Sequence, residues 1–79
     1  MQSFLESRTP SLDTSQPSVR HIQGLIRQKI PVALRLLDGH ELEGVLLWQD
    51  VDQFALDPGE GRSLSLINRR AVAVLRSLA

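Results

Sequence analysis

Apolar residues recur with the period of a helix in the segment that follows Pro17. Their separations of three, three and one residues place them along one side of an α-helix. These residues are Val19, Ile22, Leu25 and Ile26. Ser15 or Ser18 is expected to cap this helix, and Pro31 disfavours helical geometry in Ile30 before it. The pattern therefore predicts an amphipathic helix that begins just after Pro17 and ends by Ile30.

After Pro31 the apolar residues follow the shorter period of β-strands. Five runs are apolar or alternate between apolar and polar residues: 32–37, 40–48, 52–56, 63–67 and 71–75. Asp38-Gly39 predicts a tight hairpin with a type I′ turn, and the segment 57–61 predicts a second turn. Gly44, in the middle of the second run, indicates a bend or bulge. The result is a mainly β domain, in which a helix precedes about five short, bent antiparallel strands that suit a small barrel.

The first 17 residues differ from the rest of the chain. They are rich in Ser, Thr and Pro and show neither helical nor strand periodicity. Such a composition is typical of a flexible leader. We therefore expect a leader over residues 1–17 and a folded domain over residues 18–79. An alternative for the leader is a short docking peptide around Phe4-Leu5.

The composition is that of a small domain without disulfides. The chain has 79 residues, 42% of them hydrophobic, and no cysteine, which excludes disulfides, cysteine-ligated zinc and thiol catalysis. No apolar run approaches the ~18 residues of a membrane span, and the N-terminus lacks the pattern of a secretory signal. These features predict a cytoplasmic protein. A domain of about 60 ordered residues is marginally stable alone, so oligomerisation is expected.

Charged residues are grouped by sign along the chain, although nine basic and nine acidic residues cancel overall. Residues 18–37 and 61–79 carry basic and no acidic residues, whereas residues 38–60 carry acidic residues and no Lys or Arg. Such blocks predict folded faces of opposite sign. The alternative is that they are solvated surface positions that happen to be grouped.

Catalysis is poorly supported by the sequence. His21 and His40 have no third ligand at a spacing typical of a metal site, and there is no phosphate-binding glycine loop or nucleophile motif. Asp50 and Asp52, at the end of a predicted strand, are typical of turn caps or solvated charges rather than of an acid–base pair. The sequence therefore predicts a protein that is not an enzyme and that has no metal or cofactor.

Nucleic-acid binding has better candidates. Phe54 offers a face on which a base can stack, and Gln53 beside it offers an amide that can read a base edge. Arg69-Arg70 lies in a predicted turn and can meet phosphates. Each of these positions has a structural alternative: Phe54 packs in the core, Arg69-Arg70 is a solvated turn, and Trp48 is a core or interface anchor.

Several short motifs follow one another in the order typical of a known family. They are Pro31-Val32, Asp38-Gly39, Leu42-Glu43-Gly44, Asp52-Gln53-Phe54 and Asn68-Arg69-Arg70-Ala71-Val72. In this order, after a short amphipathic helix, they resemble Hfq, the family of bacterial Sm-like RNA chaperones. Two further stretches look most like its divergent cyanobacterial branch: Pro17-Ser18-Val19-Arg20 and Leu47-Trp48-Gln49-Asp50. The resemblance covers residues 17–77.

This resemblance implies an Sm-like fold, in which an N-terminal helix lies on a strongly bent five-stranded antiparallel sheet. It also implies a homohexameric ring, in which the fourth strand of one subunit pairs with the fifth strand of its neighbour. Such a ring leaves no open sheet edges. It agrees with the oligomerisation that the size of the domain leads us to expect.

Members of the family bind U-rich RNA around the pore, on the face that bears the helix. A Gln-Phe pair holds and stacks the base there, and Gln53-Phe54 matches it. Arg69-Arg70 stands where the family has a Lys-His pair, so the charge is kept and the imidazole is lost. Asn68 replaces the tyrosine before that pair, and Ser18 replaces a glutamine at the start of the helix. The resemblance thus implies RNA binding at this face with reduced affinity.

The other RNA-binding regions of the family are more altered. The basic residues that match or partly replace the arginine-rich patch of the outer rim are Arg20, Arg27 and Lys29. The face opposite the helix has Arg35 in place of a stacking tyrosine and Glu41 in place of a lysine, with His40 beside them. Because the acidic residues Asp38 and Glu43 are near, we expect this face to repel phosphate and to bind A-rich RNA weakly or not at all. A two-residue insertion before Gln53-Phe54 lengthens the second strand and its turn.

The predicted function is that of an RNA-binding post-transcriptional regulator. The alternative is a protein-interaction hub for which RNA is secondary. The cyanobacterial relatives are associated with type IV pilus motility, so a cytosolic partner such as a pilus ATPase is a candidate. Arg69-Arg70 can hold an acidic or C-terminal carboxylate tail as well as phosphate.

Overall fold

One α-helix and five antiparallel β-strands make up residues 11–79, the part of the chain that the computed structural model describes. In chain order they are α1 (Pro17–Gln28), β1 (Val32–Leu36), β2 (Glu41–Gln49), β3 (Gln53–Asp57), β4 (Ser65–Asn68) and β5 (Val72–Ser77), with a 3-10 turn at Arg69–Ala71. The strands form one sheet in the order β4-β3-β2-β1-β5. The predicted fold class is confirmed. Most of the predicted leader, and the alternative docking peptide around Phe4-Leu5, lie outside the described residues.

Helix α1 begins at Pro17, and neither of the predicted serines caps it. Gln16 is the N-cap residue, and its side chain makes no capping hydrogen bond. The amide and hydroxyl of Ser15 both donate to the Asp13 carboxylate instead, at 2.9 and 2.6 Å. Ser18 follows Pro17 inside the first turn and is therefore past the capping position. No helix in residues 11–79 is long and apolar enough to cross a membrane.

The turn between β1 and β2 lies at Asp38-Gly39 as predicted, but it is not of type I′. A type I′ turn needs positive φ at both central residues, whereas within this turn only Gly39 has it, at 94°. The Gly39 amide donates to the Leu36 carbonyl at 3.0 Å, and the Leu36 amide donates to the His40 carbonyl at 2.8 Å. The loop thus has three residues, with glycine in the left-handed position. The Asp38 carboxylate holds it by accepting from the His40 amide at 3.0 Å.

Gly44 marks the point where β2 leaves one partner strand for another. It pairs with Val32 of β1, and the next residue of β2 pairs with Asp57 of β3. A Cβ at Gly44 would collide with the main-chain carbonyl of Asp57, so this close crossing of strands requires glycine. The bend expected at Gly44 therefore has a physical cause, whereas the shift of register lies further along β2, between Leu46 and Trp48.

The core forms where α1 packs on the sheet. The apolar stripe predicted for α1 is confirmed, because two of its residues are buried and two are partly buried: Val19, Leu25, Ile22 and Ile26. Leu25 joins six buried strand residues in one cluster: Val32, Leu34, Leu46, Phe54, Leu56 and Ile67. Trp48 is 42% exposed, so it is not a core residue of the single chain, and its role as an interface anchor stays a prediction.

Candidate nucleic-acid interface

The turn between β2 and β3 is held by the side chain of Asp50. Its Oδ1 accepts hydrogen bonds from the amides of Asp52 and Gln53, at 2.9 and 2.7 Å. The Asp50 amide donates to the Gln53 carbonyl at 3.0 Å. Asp50 is therefore the turn cap that its position predicts. This turn fixes the start of β3, which carries Gln53 and Phe54.

Strands β3 and β4 bring the predicted pore-face residues together. Gln53 pairs with Asn68, and Phe54 pairs with Ile67. Arg69-Arg70 follows directly in the 3-10 turn, which Asn68 caps by accepting from the Arg70 amide at 2.8 Å. The side chain of Asn68 is thus used to hold the turn. All the predicted pore-face residues except Ser18 lie at one end of these two neighbouring strands.

Phe54 is a core residue of this chain. Only 3% of its surface is exposed, and it packs in the buried cluster with Leu46 and Leu56. The guanidinium of Arg69 lies over the ring, with Cζ 4.4 Å from the ring centroid. The core-packing alternative therefore describes Phe54 in the single chain. A base reaches this face of the ring only if Arg69 moves away.

Arg69 is held through both its main chain and its side chain. Its amide donates to the Asp52 carbonyl at 2.8 Å, and its Nη1 donates to the Asp50 carbonyl at 3.1 Å. Burial lowers the pKa of the Arg69 guanidinium, while the nearby charge of Asp50 opposes that shift. Arginine nevertheless stays protonated in proteins, and a cation over an aromatic ring is attracted by the ring quadrupole. The site thus holds a flat, charged group over Phe54.

Arg70 and Ser18 are both exposed. The Arg70 guanidinium makes no hydrogen bond or ion pair to any residue in the range 11–79. Ser18 precedes Val19, whose carbonyl accepts from Nε2 of Gln49 at 3.3 Å. Because Gln49 ends β2 beside Asp50, the first turn of α1 is tied to the turn that holds Arg69. Ser18 is therefore adjacent in the chain to the residue that accepts this hydrogen bond.

Sequence reasoning missed Gln49 and Gln23. Nε2 of Gln49 also donates to Oε1 of Gln23 at 3.0 Å, which joins β2 to the middle of α1. The amides meet across 26 residues of chain, and no local pattern marks such a contact. Asp50, by contrast, carries a signal, since Asp-x-Asp after a strand is typical of a turn that the first carboxylate caps.

The predicted rim residues lie on α1 or directly after it. They are Arg20, Arg27 and Lys29, all exposed. The two arginines line a groove along the helix together with His21 and Gly24. Lys29 ends the helix in the left-handed conformation, at φ 56°, and its amide donates to the Ile26 carbonyl at 3.1 Å. Within residues 11–79, none of these three side chains pairs with a carboxylate, and no group of three His, Asp or Glu is placed to hold a metal ion.

The sequence model of the family described as Hfq related matches residues 16–77 of this chain. The chain belongs to the Hfq family. A crystal structure of an Hfq protein from Anabaena sp. is 33% identical to it, with a TM-score of 0.69 over 77% of this chain and 95% of that chain. A crystal structure of the pleiotropic translational regulator Hfq, 17% identical, has a TM-score of 0.73 over 84% of this chain and 97% of that chain, and shares the fold. None of the curated proteins matches the sequence.

The family that the motif order predicts is thus confirmed. The relative from Anabaena, a cyanobacterium, agrees with the predicted likeness to cyanobacterial Hfq proteins. The similarity spans α1 and all five strands, so it includes Gln53-Phe54 and Arg69-Arg70.

At the other end of β2, the Hfq chain places Glu41 between two arginines. Oε2 of Glu41 is 2.9 Å from Nη1 of Arg76 and 3.9 Å from Nε of Arg35. The hydrogen bond and the charge of Arg76, with a smaller effect of Arg35, hold the pKa of Glu41 below its ordinary value. His40 lies beside this cluster, with Nδ1 2.9 Å from Oδ2 of Asp38. Glu41 is therefore paired with two cations of the chain, and the expected repulsion of phosphate at this face stays a prediction. Weak binding of A-rich RNA stays a prediction.

At two places in the Hfq chain, strand pairing brings residues of the acidic block next to residues of a basic block, and the expected faces of opposite sign stay a prediction. Antiparallel pairing places Glu41, from the acidic block, directly opposite Arg35, from a basic block. The turn formed by Asp50 and Asp52, again from the acidic block, lies against Arg69. Strand pairing mixes the blocks because it joins residues that are distant along the chain.

Proposed function

We propose that this chain is a cytoplasmic Hfq-type regulator that binds single-stranded RNA at the joined ends of β3 and β4. The observation that supports this function is the 3-10 turn, in which Arg69 and Arg70 are adjacent and neither pairs with a carboxylate of residues 11–79. Arginines without carboxylate partners are available to phosphates and base edges. Gln53 on the neighbouring strand adds an amide that can read a base edge. The proposed function is binding, without catalysis.

The proposed assembly is a homohexameric ring, in which β4 of one subunit pairs with β5 of the next. Strands β4 and β5 are the two edges of the sheet. Each edge exposes an apolar side chain, Leu66 at 56% and Val74 at 43%. Open edges with apolar side chains favour association. A ring would bring every copy of Arg69-Arg70 around one pore and concentrate positive charge there.

Light scattering tests the assembly. The chain mass is 8.8 kDa, and the ring predicts a particle of six such chains at micromolar concentration. A particle with the mass of one chain under those conditions would contradict the ring.

U-rich RNA is the proposed ligand, bound with reduced affinity because Asn68 and Ser18 replace two residues that contact RNA in the family. The rim residues Arg20, Arg27 and Lys29 are proposed to add phosphate contacts. Fluorescence anisotropy with U-rich and A-rich oligonucleotides, across a salt series, tests the ligand. Saturable U-rich binding whose log K falls linearly with log salt supports the function. If neither oligonucleotide binds saturably, RNA is not the primary ligand.

The burial of Phe54 favours a second candidate, a protein-interaction hub. With only 3% of Phe54 exposed, the pore face has less aromatic surface for RNA than the sequence predicts. Arg70, exposed and without a carboxylate partner in residues 11–79, can hold a carboxylate of an acidic protein tail, including that of a pilus ATPase. Titration with an acidic peptide that has a free C-terminus separates the two functions. Tighter binding of the peptide than of U-rich RNA would favour the hub.

A further inference from the structure

We propose that the guanidinium of Arg69, rather than the ring of Phe54, is the surface on which an RNA base stacks. This inference rests on the proposed RNA-binding function and assigns the stacking group within it. The ring of Phe54 is 3% exposed and belongs to the core cluster, whereas Arg69 lies above it and retains partial exposure. A base that approaches this part of the site therefore meets the guanidinium before it meets the ring.

Arg69 has the geometry that a stacking surface requires. Its Cζ is 4.4 Å from the centroid of the Phe54 ring, so the guanidinium covers the ring. The Asp50 carbonyl holds one edge through Nη1 at 3.1 Å. Arg69 is only half-buried, so it keeps surface beyond these two contacts that a ligand can reach. A planar group fixed in this way can stack on a base without first losing the freedom of a mobile side chain.

The turn under Arg69 is itself rigidly bonded. The Asp50 carboxylate accepts from the amides of Asp52 and Gln53, and the Asp52 carbonyl accepts from the Arg69 amide. Both amide bonds are to Oδ1 of Asp50, and within the described residues the guanidinium of Arg69 bonds to the Asp50 carbonyl and not to its carboxylate. The arrangement predicts a stack of three layers: Phe54, Arg69 and the base. Arginine planes are known surfaces for unstacked RNA bases.

Arg70 provides the matched comparison. It is the next residue, carries the same charge and is exposed, but its guanidinium has no hydrogen-bond or ion-pair partner in residues 11–79 to fix its orientation. We expect Arg70 to act through its charge alone. Lysine keeps that charge and lacks the planar group, so the substitution Arg→Lys separates stacking from charge at the two neighbouring positions.

The experiment compares Arg69→Lys with Arg70→Lys by anisotropy with a U-rich oligonucleotide. A stacked base contributes about 1–3 kcal/mol, so Arg69→Lys should weaken binding about fivefold or more. Arg70→Lys should change affinity by less than about twofold, since the charge is kept. The slope of log K against log salt should be the same in both variants and in the parent. Equal affinity of Arg69→Lys and the parent, or a gain because the ring is uncovered, would overturn the proposal.

Phe54→Leu is the second variant, because it keeps an apolar core side chain. Phe54→Ala is unsuitable, since it leaves a cavity in the core and destabilises the fold. If Arg69 is the stacking surface, Phe54→Leu weakens binding less than Arg69→Lys does. A larger loss in Phe54→Leu, with thermal unfolding and particle mass like those of the parent, would assign stacking to Phe54. Failure of the parent protein to bind RNA would instead refute the proposed function itself.

Discussion

The arginines that lie near the two ends of β2 have different partners. At one end, Arg69 lies over Phe54 and has no carboxylate partner in the described residues. At the other end, Arg35 and Arg76 both lie within 4 Å of the Glu41 carboxylate. The first end keeps positive charge available to a ligand, and the second pairs its arginines with a carboxylate within the chain.

The difference shows that the number of arginines in a region does not indicate an RNA-binding surface. Exposed ion pairs contribute little to stability, so the cluster at Glu41 matters chiefly for what its arginines can still bind. Arg76 donates to Glu41 at 2.9 Å and must exchange that bond for one to phosphate. Arg70 has no such bond to give up within residues 11–79.

Gly44→Ala is expected to have the largest effect, a loss of folding stability, because Gly44 is the point where β2 leaves β1 and pairs with β3. The added Cβ collides with the Asp57 carbonyl, and forcing atoms into packed structure costs about 1–3 kcal/mol. Gly24→Ala is the matched control, because its Cβ meets only Nη2 of Arg27, at 4.0 Å. Replacing a helical glycine by alanine should raise the free energy of unfolding by about 0.5–1 kcal/mol. Urea denaturation at one protein concentration measures both. Equal stability of Gly44→Ala and the parent would show that the close approach of Gly44 to the Asp57 carbonyl does not require glycine.

Arg70→Gln and Arg76→Gln compare the two ends directly. Arg70→Gln should weaken U-rich RNA binding about tenfold, because a hydrogen bond to a charged group contributes about 1.5 kcal/mol, and should reduce the salt slope. Arg76→Gln should change the RNA affinity by less than about twofold and leave the salt slope nearly unchanged, since the Arg76 guanidinium is already paired with Glu41. Anisotropy across a salt series measures both variants. An equal loss in the two would mean that pairing does not decide which arginines bind RNA.

The smallest expected effect is on pH-dependent stability at Glu41. The pKa of Glu41 is lowered from 4.5 in the folded chain, chiefly by the hydrogen bond from Arg76. A lowered pKa stabilises the fold at pH values above 4.5, and that contribution is lost as the pH falls through the folded pKa. Glu41→Gln should therefore lower the unfolding temperature slightly at pH 7, and the difference from the parent should vanish in acid. In an Arg76→Gln background the effect should be smaller, and an equal effect in both backgrounds would exclude Arg76 as its cause.

Much of the fold could be predicted from the sequence, because it follows from local periodicity. The spacing of Val19, Ile22, Leu25 and Ile26 determined which side of α1 is buried, and the shorter period after Pro31 determined the strands. Turn chemistry was less reliable. Asp38-Gly39 marked the hairpin correctly, but its type depends on backbone angles that the dipeptide does not determine.

The candidate site was predicted as a set of residues, through the motif order of the Hfq family, and the contacts among them were not. The motifs Gln53-Phe54 and Arg69-Arg70 do not indicate that the aromatic ring is buried or that an arginine covers it. These contacts join β3 to the turn after β4 and depend on how the core packs around Phe54.

The sequence by itself thus determined the elements, their order and the family, and it indicated most residues of the candidate site. Only the tertiary structure decided which charges remain available. Strand pairing places Glu41 opposite Arg35, and the turn at Asp50 places a main-chain carbonyl, rather than a carboxylate, against Arg69. Electrostatic pairing depends on distances of a few ångströms between residues far apart in the chain, and one-dimensional patterns of charge carry no such distances.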